Sequence, residues 1–509
     1  MQLPRIDARA VTCASGNRKT GKEILVAEAI EGLSPEALWR YFWEISQIPR
    51  ESGKEDRIRD FVTTRARSLG HDTSIDIAGN VIVRKQGKTG HDPVALQSHM
   101  DMVCEKNTDT VHDFEKDPIS LLRTGDWITA RGTTLGADNG IGMAAMLAIM
   151  EDLSLDHPPL ELVFTVDEET GLTGARMLTR DSLFANTLIN LDSEEVGCFT
   201  IGCAGGLDSR LVMDLNTVEP CHGDIPIRIT VTGLKGGHSG INIHEGLGNA
   251  IKFIARFLRS ACRGIPYQLV RINGGSKHNA IPREAEALLL LKPGHLEKIE
   301  DASQSMNETL CQEYTGVEEN ITIQVVRETE SHHRVIDEED AQKVLDLLMA
   351  IPHGALRITT DMGGVVITST NLAMCVQDGS SFTIITSQRS IIPSAIEEIA
   401  SQINAVGCLG GARVIHEHGY PAWRPNYRSE ILKTCTDLYR TMYCSEPKVK
   451  VIHAGLECAV IGEQISGLDM ISFGPKIMNA HSPSEMVEIP SVETMWTFLV
   501  SLLKNMAEK

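Results

Sequence analysis

At 509 residues the chain is too long for one hydrophobic core, so two domains are expected. An apolar share of 42% and a charged share of 23% describe a globular protein, and a net charge of −20 repels phosphate backbones, which argues against nucleic acid as a partner. No apolar run approaches the ~20 residues that cross a bilayer, so no membrane partner is expected.

The twelve cysteines are scattered and never form Cys-x-x-Cys, which points to reduced, mostly buried thiols in a cytoplasmic protein rather than to disulfides or a thiolate metal site. Residues 1–32 carry Arg5, Arg9, Arg18, Lys19 and Lys22 among acidic residues and hold no apolar core for a secretory signal. They are read as an N-terminal extension, frayed or disordered, with an organelle transit peptide as the alternative. Ser34 is placed to cap a helix that has Pro35 in its first turn; Leu38, Phe42, Ile45 and Ile48 then recur at helical spacing until Pro49. Ile58, Phe61, Val62 and Leu69 predict a second helix ended by Gly70, and Thr73 to Arg84 predicts a hairpin turning at Ala78-Gly79-Asn80.

A strand–ligand–helix rhythm follows. Val94-Ala95-Leu96 runs into His99 and Asp101. Asp138, in Gly136-Ala137-Asp138-Asn139-Gly140, precedes a helix rich in Ala and Met. Leu160 to Val166 ends on Asp167-Glu168-Glu169, and Leu188-Ile189 precedes Asp192. Such units imply an α/β fold with a mainly parallel, doubly wound sheet, whose ligands gather beyond the carboxyl ends of the strands. From about Gly206 the pattern changes. Strands are predicted over 227–231, 267–272, 285–291, 321–326, 381–386 and 412–415, with helices over 250–258, 296–310, 341–350 and 396–403. This reads as an inserted α+β domain of β-α-β-β-α-β type. The expected division is a discontinuous domain of residues 33–205 and 423–509, interrupted by 206–422.

Two histidines and three carboxylates suit a pair of divalent cations, because zinc takes imidazole nitrogen and carboxylate oxygen and one carboxylate can bridge two ions. One arrangement uses every candidate: His99 and Asp192 on the first ion, Glu169 and His481 on the second, Asp138 between them. Asp101, two residues beyond His99, is placed to orient that imidazole. Glu168, beside Glu169, is placed to act as general base toward a metal-bridged hydroxide. Mixed nitrogen and oxygen ligation permits zinc, manganese or cobalt, and zinc is the expected metal.

The stretches Gln97-Ser98-His99-Met100-Asp101-Met102-Val103, Ala130 to Met143, Asp167-Glu168-Glu169-Thr170-Gly171, Asn190-Leu191-Asp192-Ser193-Glu194-Glu195, Gly202 to Gly206, Gly233 to Gly240, Asn279 to Ala285, Ile452 to Cys458 and His481-Ser482-Pro483 together resemble the aminoacyl-histidine dipeptidases (Xaa-His, carnosinase-like) of the co-catalytic zinc metallopeptidases. The resemblance runs from about Leu33 to the C-terminus. It implies the ligand set given above, a lid made by the inserted domain, a cis peptide between Asp138 and Asn139, and a homodimer. It also implies that His238 polarises the scissile carbonyl, that Asn279 and Arg389 hold the substrate backbone and its free carboxylate, and that Gly455 lines the site. Read on their own, Arg389 suits a structural ion pair equally well and Asn279 a turn, while Glu457 and His453 are read as structural. Cys104 stands where relatives often have proline. The implied activity is hydrolysis of a small dipeptide with a free carboxylate, Xaa-His preferred. Its rivals are a carboxypeptidase or N-acyl amino acid deacylase, and a catalytically silent metal-binding or assembly protein.

Overall fold

The computed structural model describes residues 28–359, 364–417 and 419–508, so the extension expected over 1–32 falls largely outside the described residues. The chain divides into two compact units, Met1–Gly174 with Leu191–Val196 and Phe473–Lys509, and Ala175–Asn190 with Gly197–Ser472.

In the first unit, α1 (Glu36–Ser46), α2 (Asp56–Ser68), β1 (Asp72–Ile75), β2 (Val81–Lys85), β3 (Val94–His99), α3 (Ala137–Glu151) and β4 (Leu160–Thr165) follow in order. Helix α1 starts as expected, but Pro35 occupies the cap position and no side chain caps it; the Ser34 carbonyl instead accepts from Trp39 Nε1 over 3.2 Å. The strands lie in the order β1-β2-β4-β3. Strands β3 and β4 are parallel, β1 and β2 are antiparallel because the hairpin turns the chain straight back, and β2 and β4 are antiparallel as well. An antiparallel hairpin thus edges the β3–β4 pair, which is parallel as expected of an α/β sheet. Helix α3 is buried from Asn139 to Met150, which fits a sequence of Ala, Met, Ile and Gly with no polar stripe. Gly142 is needed for this packing: a methyl there would stand 2.8 Å from the Leu191 carbonyl oxygen.

A second, small antiparallel sheet of this unit orders Ile477–Met478, Met486–Glu488, Trp127–Ala130 and Leu121–Thr124. Its pairing brings two distant stretches of chain together. The loop 479–485 joins its first two strands, and the segment leading to Asp138 leaves its third.

The second unit carries β5 (Thr187–Asn190), β6 (Cys198–Cys203), β7 (Gly205–Asp214), β8 (Ile225–Thr232), β9 (Gln268–Gly274), β10 (Ala285–Leu291), β11 (Thr322–Arg327), β12 (Gly354–Ile358), β13 (Val366–Asp378), β14 (Ser381–Ser390), β15 (Arg413–His416), β16 (Lys448–Ile452) and β17 (Asp469–Ser472). Strands β5–β17 and β6–β16 pair in parallel. A nine-stranded antiparallel sheet runs β11-β8-β10-β9-β13-β14-β7-β15, with β12 on β13. The helices Ala250–Arg256, Leu296–Glu313, Glu338–Ala350 and Pro393–Leu409 appear where predicted. Their apolar faces close a core with Ile227, Ile229, Leu289, Leu291, Phe382 and Ile384. Among the described residues the cysteines are thiols, and Cys198, Cys203, Cys262, Cys375, Cys435 and Cys458 are buried.

Candidate metal centre

The first unit gathers seven of the singled-out side chains. His99 is the last residue of β3, and Asp101 follows it. Asp138 sits at the start of α3 with an extended backbone, φ −78° and ψ 115°, and the Asp138–Asn139 peptide is cis. Just before it, Gly136 adopts φ +69°, a left-handed conformation that glycine takes without strain. Glu168 and Glu169 begin a short helical turn after β4, and Asp192 lies two residues beyond β5. His481 comes from the loop 479–485.

The distances divide this group around one carboxylate. Asp138 Oδ1 is 3.1 Å from His99 Nε2, which is 3.4 Å from Asp192 Oδ1. Asp138 Oδ2 is 3.1 Å from His481 Nε2, which is 3.0 Å from Glu169 Oε2. Donor atoms of His99, Asp138 and Asp192 lie within 4.8 Å of one another, as do those of Asp138, Glu169 and His481. His99, Glu168 and Glu169 form a third such group. Asp101 has two tasks. One oxygen faces His99 Nδ1 at 3.3 Å, and the two oxygens accept the backbone N–H groups of Glu168 and Glu169, each over 3.1 Å. It thereby holds the imidazole and the turn that carries both glutamates.

Electrostatics tests whether cations fit here. Burial, and then the charges of Asp138 and Glu169, push the Asp192 carboxyl up to about 7, against the pull of His99. Burial and Asp138 raise Glu169 as well, and its Oε1 is buried with no hydrogen-bond partner among the described residues. Asp138 resists its own burial because His481 and His99 hydrogen-bond to it, so it stays well below the usual carboxylate range. Carboxylates pressed together in this way lack positive charge, and an oxygen–nitrogen donor set of this kind fits divalent cations.

Two residues without a local sequence signal build this geometry. The carboxylate of Glu485 accepts the N–H groups of Leu135, Gly136, Ala137 and Asp138 at 2.7, 2.9, 2.8 and 3.3 Å. Because Glu485 and His481 share one loop, this cradle ties that loop to the Asp138 turn. Buried Arg50 donates to the carbonyls of Met100, Asp101 and Gly136, joining the end of β3 to the same turn. Neither residue belongs to a recognisable motif; only the shared fold reveals them.

The second unit gathers His238, Asn279, Arg389 and Gly455. His238 lies opposite Ala280 in a two-residue strand pair, and Ser239 N–H donates to the Asn279 carbonyl over 2.8 Å. His238 Nδ1 accepts from the N–H groups of Gly240 and Ile241 at 3.2 and 3.1 Å, which in the neutral ring leaves the proton on Nε2. Arg389 faces Ser369 across β13 and β14, and Ser369 Oγ bonds His453 Nε2 over 2.7 Å. Gly455 packs on the ring of Tyr420, whose hydroxyl accepts from Arg389.

Comparison with known proteins places this arrangement among peptidases. The profile of peptidase family M20/M25/M40 matches residues 95–505. The cytosol non-specific dipeptidase of Escherichia coli (strain K12) is 38% identical over 482 residues, 94% of this chain and 99% of that protein. The crystal structure of an aminoacylhistidine dipeptidase from Vibrio alginolyticus aligns with a TM-score of 0.80 and 39% identity, over 94% of this chain and 98% of that one. A tripeptidase from Staphylococcus aureus, at 17% identity and a TM-score of 0.55 over 94% of this chain and all of its own, shares the fold.

Proposed function

The chain belongs to peptidase family M20/M25/M40, whose members are metal-dependent hydrolases of peptide bonds, and from that membership we propose that it is a dipeptidase using two divalent cations. The observation that carries this reading is Asp138, with one oxygen toward His99 and Asp192 and the other toward His481 and Glu169. His99 and Asp192 would hold one cation, Glu169 and His481 the other, and Asp138 would bridge them; zinc is the proposed metal, with cobalt or manganese as substitutes. The chemistry such cations would supply there is polarisation of the scissile carbonyl and a lowering of the attacking water's pKa toward ~7.

The protein's own groups complete the chemistry. Glu168 takes the proton of the attacking water and returns it to the leaving amine. Asp101 keeps the His99 ring and the Glu168 turn in place. His238, with its proton on Nε2, stabilises the oxyanion. Asn279 holds the substrate backbone, and Arg389 its carboxylate. We further propose that residues 206–422 act as a lid on a catalytic domain of 33–205 and 423–509. The proposed setting is a cytoplasmic homodimer, in keeping with a relative named for the cytosol. Among the described residues no helix is long and apolar enough to cross a membrane.

The two relatives differ in name between a non-specific and an aminoacyl-histidine specificity, so a dipeptide panel is the test. The expected outcome is cleavage of Xaa-His dipeptides, carnosine included, abolished by a chelator and restored by zinc, cobalt or manganese. Cleavage confined to peptides with a blocked N-terminus would replace the reading with a carboxypeptidase or deacylase. Absence of hydrolysis with every metal would leave a silent metal-binding protein.

A further inference from the structure

One side chain of the second unit joins several features that the proposed mechanism leaves unexplained. The main chain of Tyr420 is fastened to Gly206 in both directions: Gly206 N–H donates to the Tyr420 carbonyl over 3.0 Å, and Tyr420 N–H to the Gly206 carbonyl over 2.9 Å. Gly206 is also the residue opposite Arg389 in the register of β7 and β14. Tyr420, Gly206 and Arg389 are therefore lateral neighbours.

Two glycines make room for the tyrosine ring. A methyl on Gly206 would stand 2.5 Å from Cε1 and Cζ and 2.6 Å from the hydroxyl, and one on Gly455 would stand 3.0 Å from Cε2. The ring is thus flanked along both edges by residues without side chains. Seated there, its hydroxyl accepts from Nη1 of Arg389.

Arg389 is 7% exposed, and its Nε is buried with no hydrogen-bond partner among the described residues. Asp208 feels the charge of Arg389, but its carboxylate pairs with His278 Nδ1 over 2.7 Å instead. A buried donor without a partner is unfavourable until something completes it. A guanidinium grips a carboxylate through two parallel N–H groups, either its two Nη tips or the edge formed by Nε and Nη2. With Nη1 occupied by the phenol, the edge carrying Nε is the one on offer.

We infer that Tyr420, seated between Gly206 and Gly455, is a positioning residue that aims the Nε edge of Arg389 at the C-terminal carboxylate of the peptide, and so sets the preference for free acids over amides. The inference rests on the dipeptidase reading and assigns Gly455 to holding Tyr420.

The test assays the metal-loaded enzyme on alanyl-histidine and on alanyl-histidine amide. Tyr420→Phe keeps the ring and removes only the hydroxyl. It is expected to raise KM for the free acid about tenfold, the scale of one charge-assisted hydrogen bond, with kcat within about twofold and kcat/KM for the amide unmoved. Gly206→Ala, which displaces the ring from another strand, should give the same split. In an Arg389→Lys background, Tyr420→Phe should add nothing further. Equal losses on both peptides, an unchanged KM, or full additivity with Arg389→Lys would each overturn the inference. A wild type that cleaves neither peptide would sink the dipeptidase reading and this inference with it; an active wild type with an indifferent Tyr420→Phe would sink this inference alone.

Discussion

Two pairs of histidines set the two units apart. In the first unit burial works against a charge on His99 and His481, yet the carboxylates win. Asp192, Asp101 and Asp138 lift His99 well above the ordinary histidine range, and Asp138 and Glu169 lift His481 to about 11. In the second unit burial acts with the field. His353 is pushed down to about 4 by burial and Lys252, and His453 to about 3 by burial and Arg389. The same side chain is held charged by carboxylates in one place and held neutral, mainly by burial, in the other. The contrast is between histidines ringed by carboxylates, which suits a site for cations, and histidines that burial, helped by a neighbouring cation, keeps neutral.

The sharpest way to separate ligand from base within the first unit is Glu168→Gln. General-base catalysis contributes ~10²–10⁴-fold, so kcat should fall by that factor while both metals stay bound. Near wild-type turnover, measured alongside metal content, would remove Glu168 from its role. A smaller effect is expected from Glu485→Gln, because an amide can no longer offer two acceptor oxygens to four N–H groups. Loss of such an outlying partner costs ~10–100-fold in metal affinity, readable by competition with a chromogenic chelator. Unaltered affinity would mean that the Asp138 turn holds its shape without the cradle.

The third prediction concerns the second unit and stability. An unfolded histidine titrates near ~6.5, whereas folded His353 does so at about 4. Between those values the unfolded chain binds the extra proton, so stability present above the higher value is lost as pH falls through the window. Denaturant midpoints of the chelated protein should therefore drop from pH 7 to pH 4.5, and the drop should be shallower in His353→Gln. Identical slopes would show that His353 is not held neutral.

Three of the five proposed metal ligands were legible because they follow apolar runs: His99 ends β3, Glu169 follows β4 and Asp192 follows β5. Local grammar could reach no further. Arg50 and Glu485 act on backbone atoms more than thirty residues away in sequence, which leaves no spacing to read. The expected strand 381–386 runs on to Ser390 and carries Arg389 with it. That extension was hidden because its residues are polar yet buried: Gln388 bonds Ser209 and Thr386, and Ser390 bonds Thr368. Strand β13 escaped for the same reason, since Thr368, Ser369, Thr370 and Asn371 are all buried and show no alternation. The helix start at Pro35 illustrates a smaller failure, a capping residue of the right type one position too early.

The central claim is that Asp138 bridges two cations, and anomalous scattering from crystals grown with zinc tests it most directly. The account predicts two peaks about 3.5–4 Å apart, one beside His99 and Asp192, the other beside His481 and Glu169, each touching a different oxygen of Asp138. A single peak away from Asp138, or none within reach of these five side chains, would contradict it.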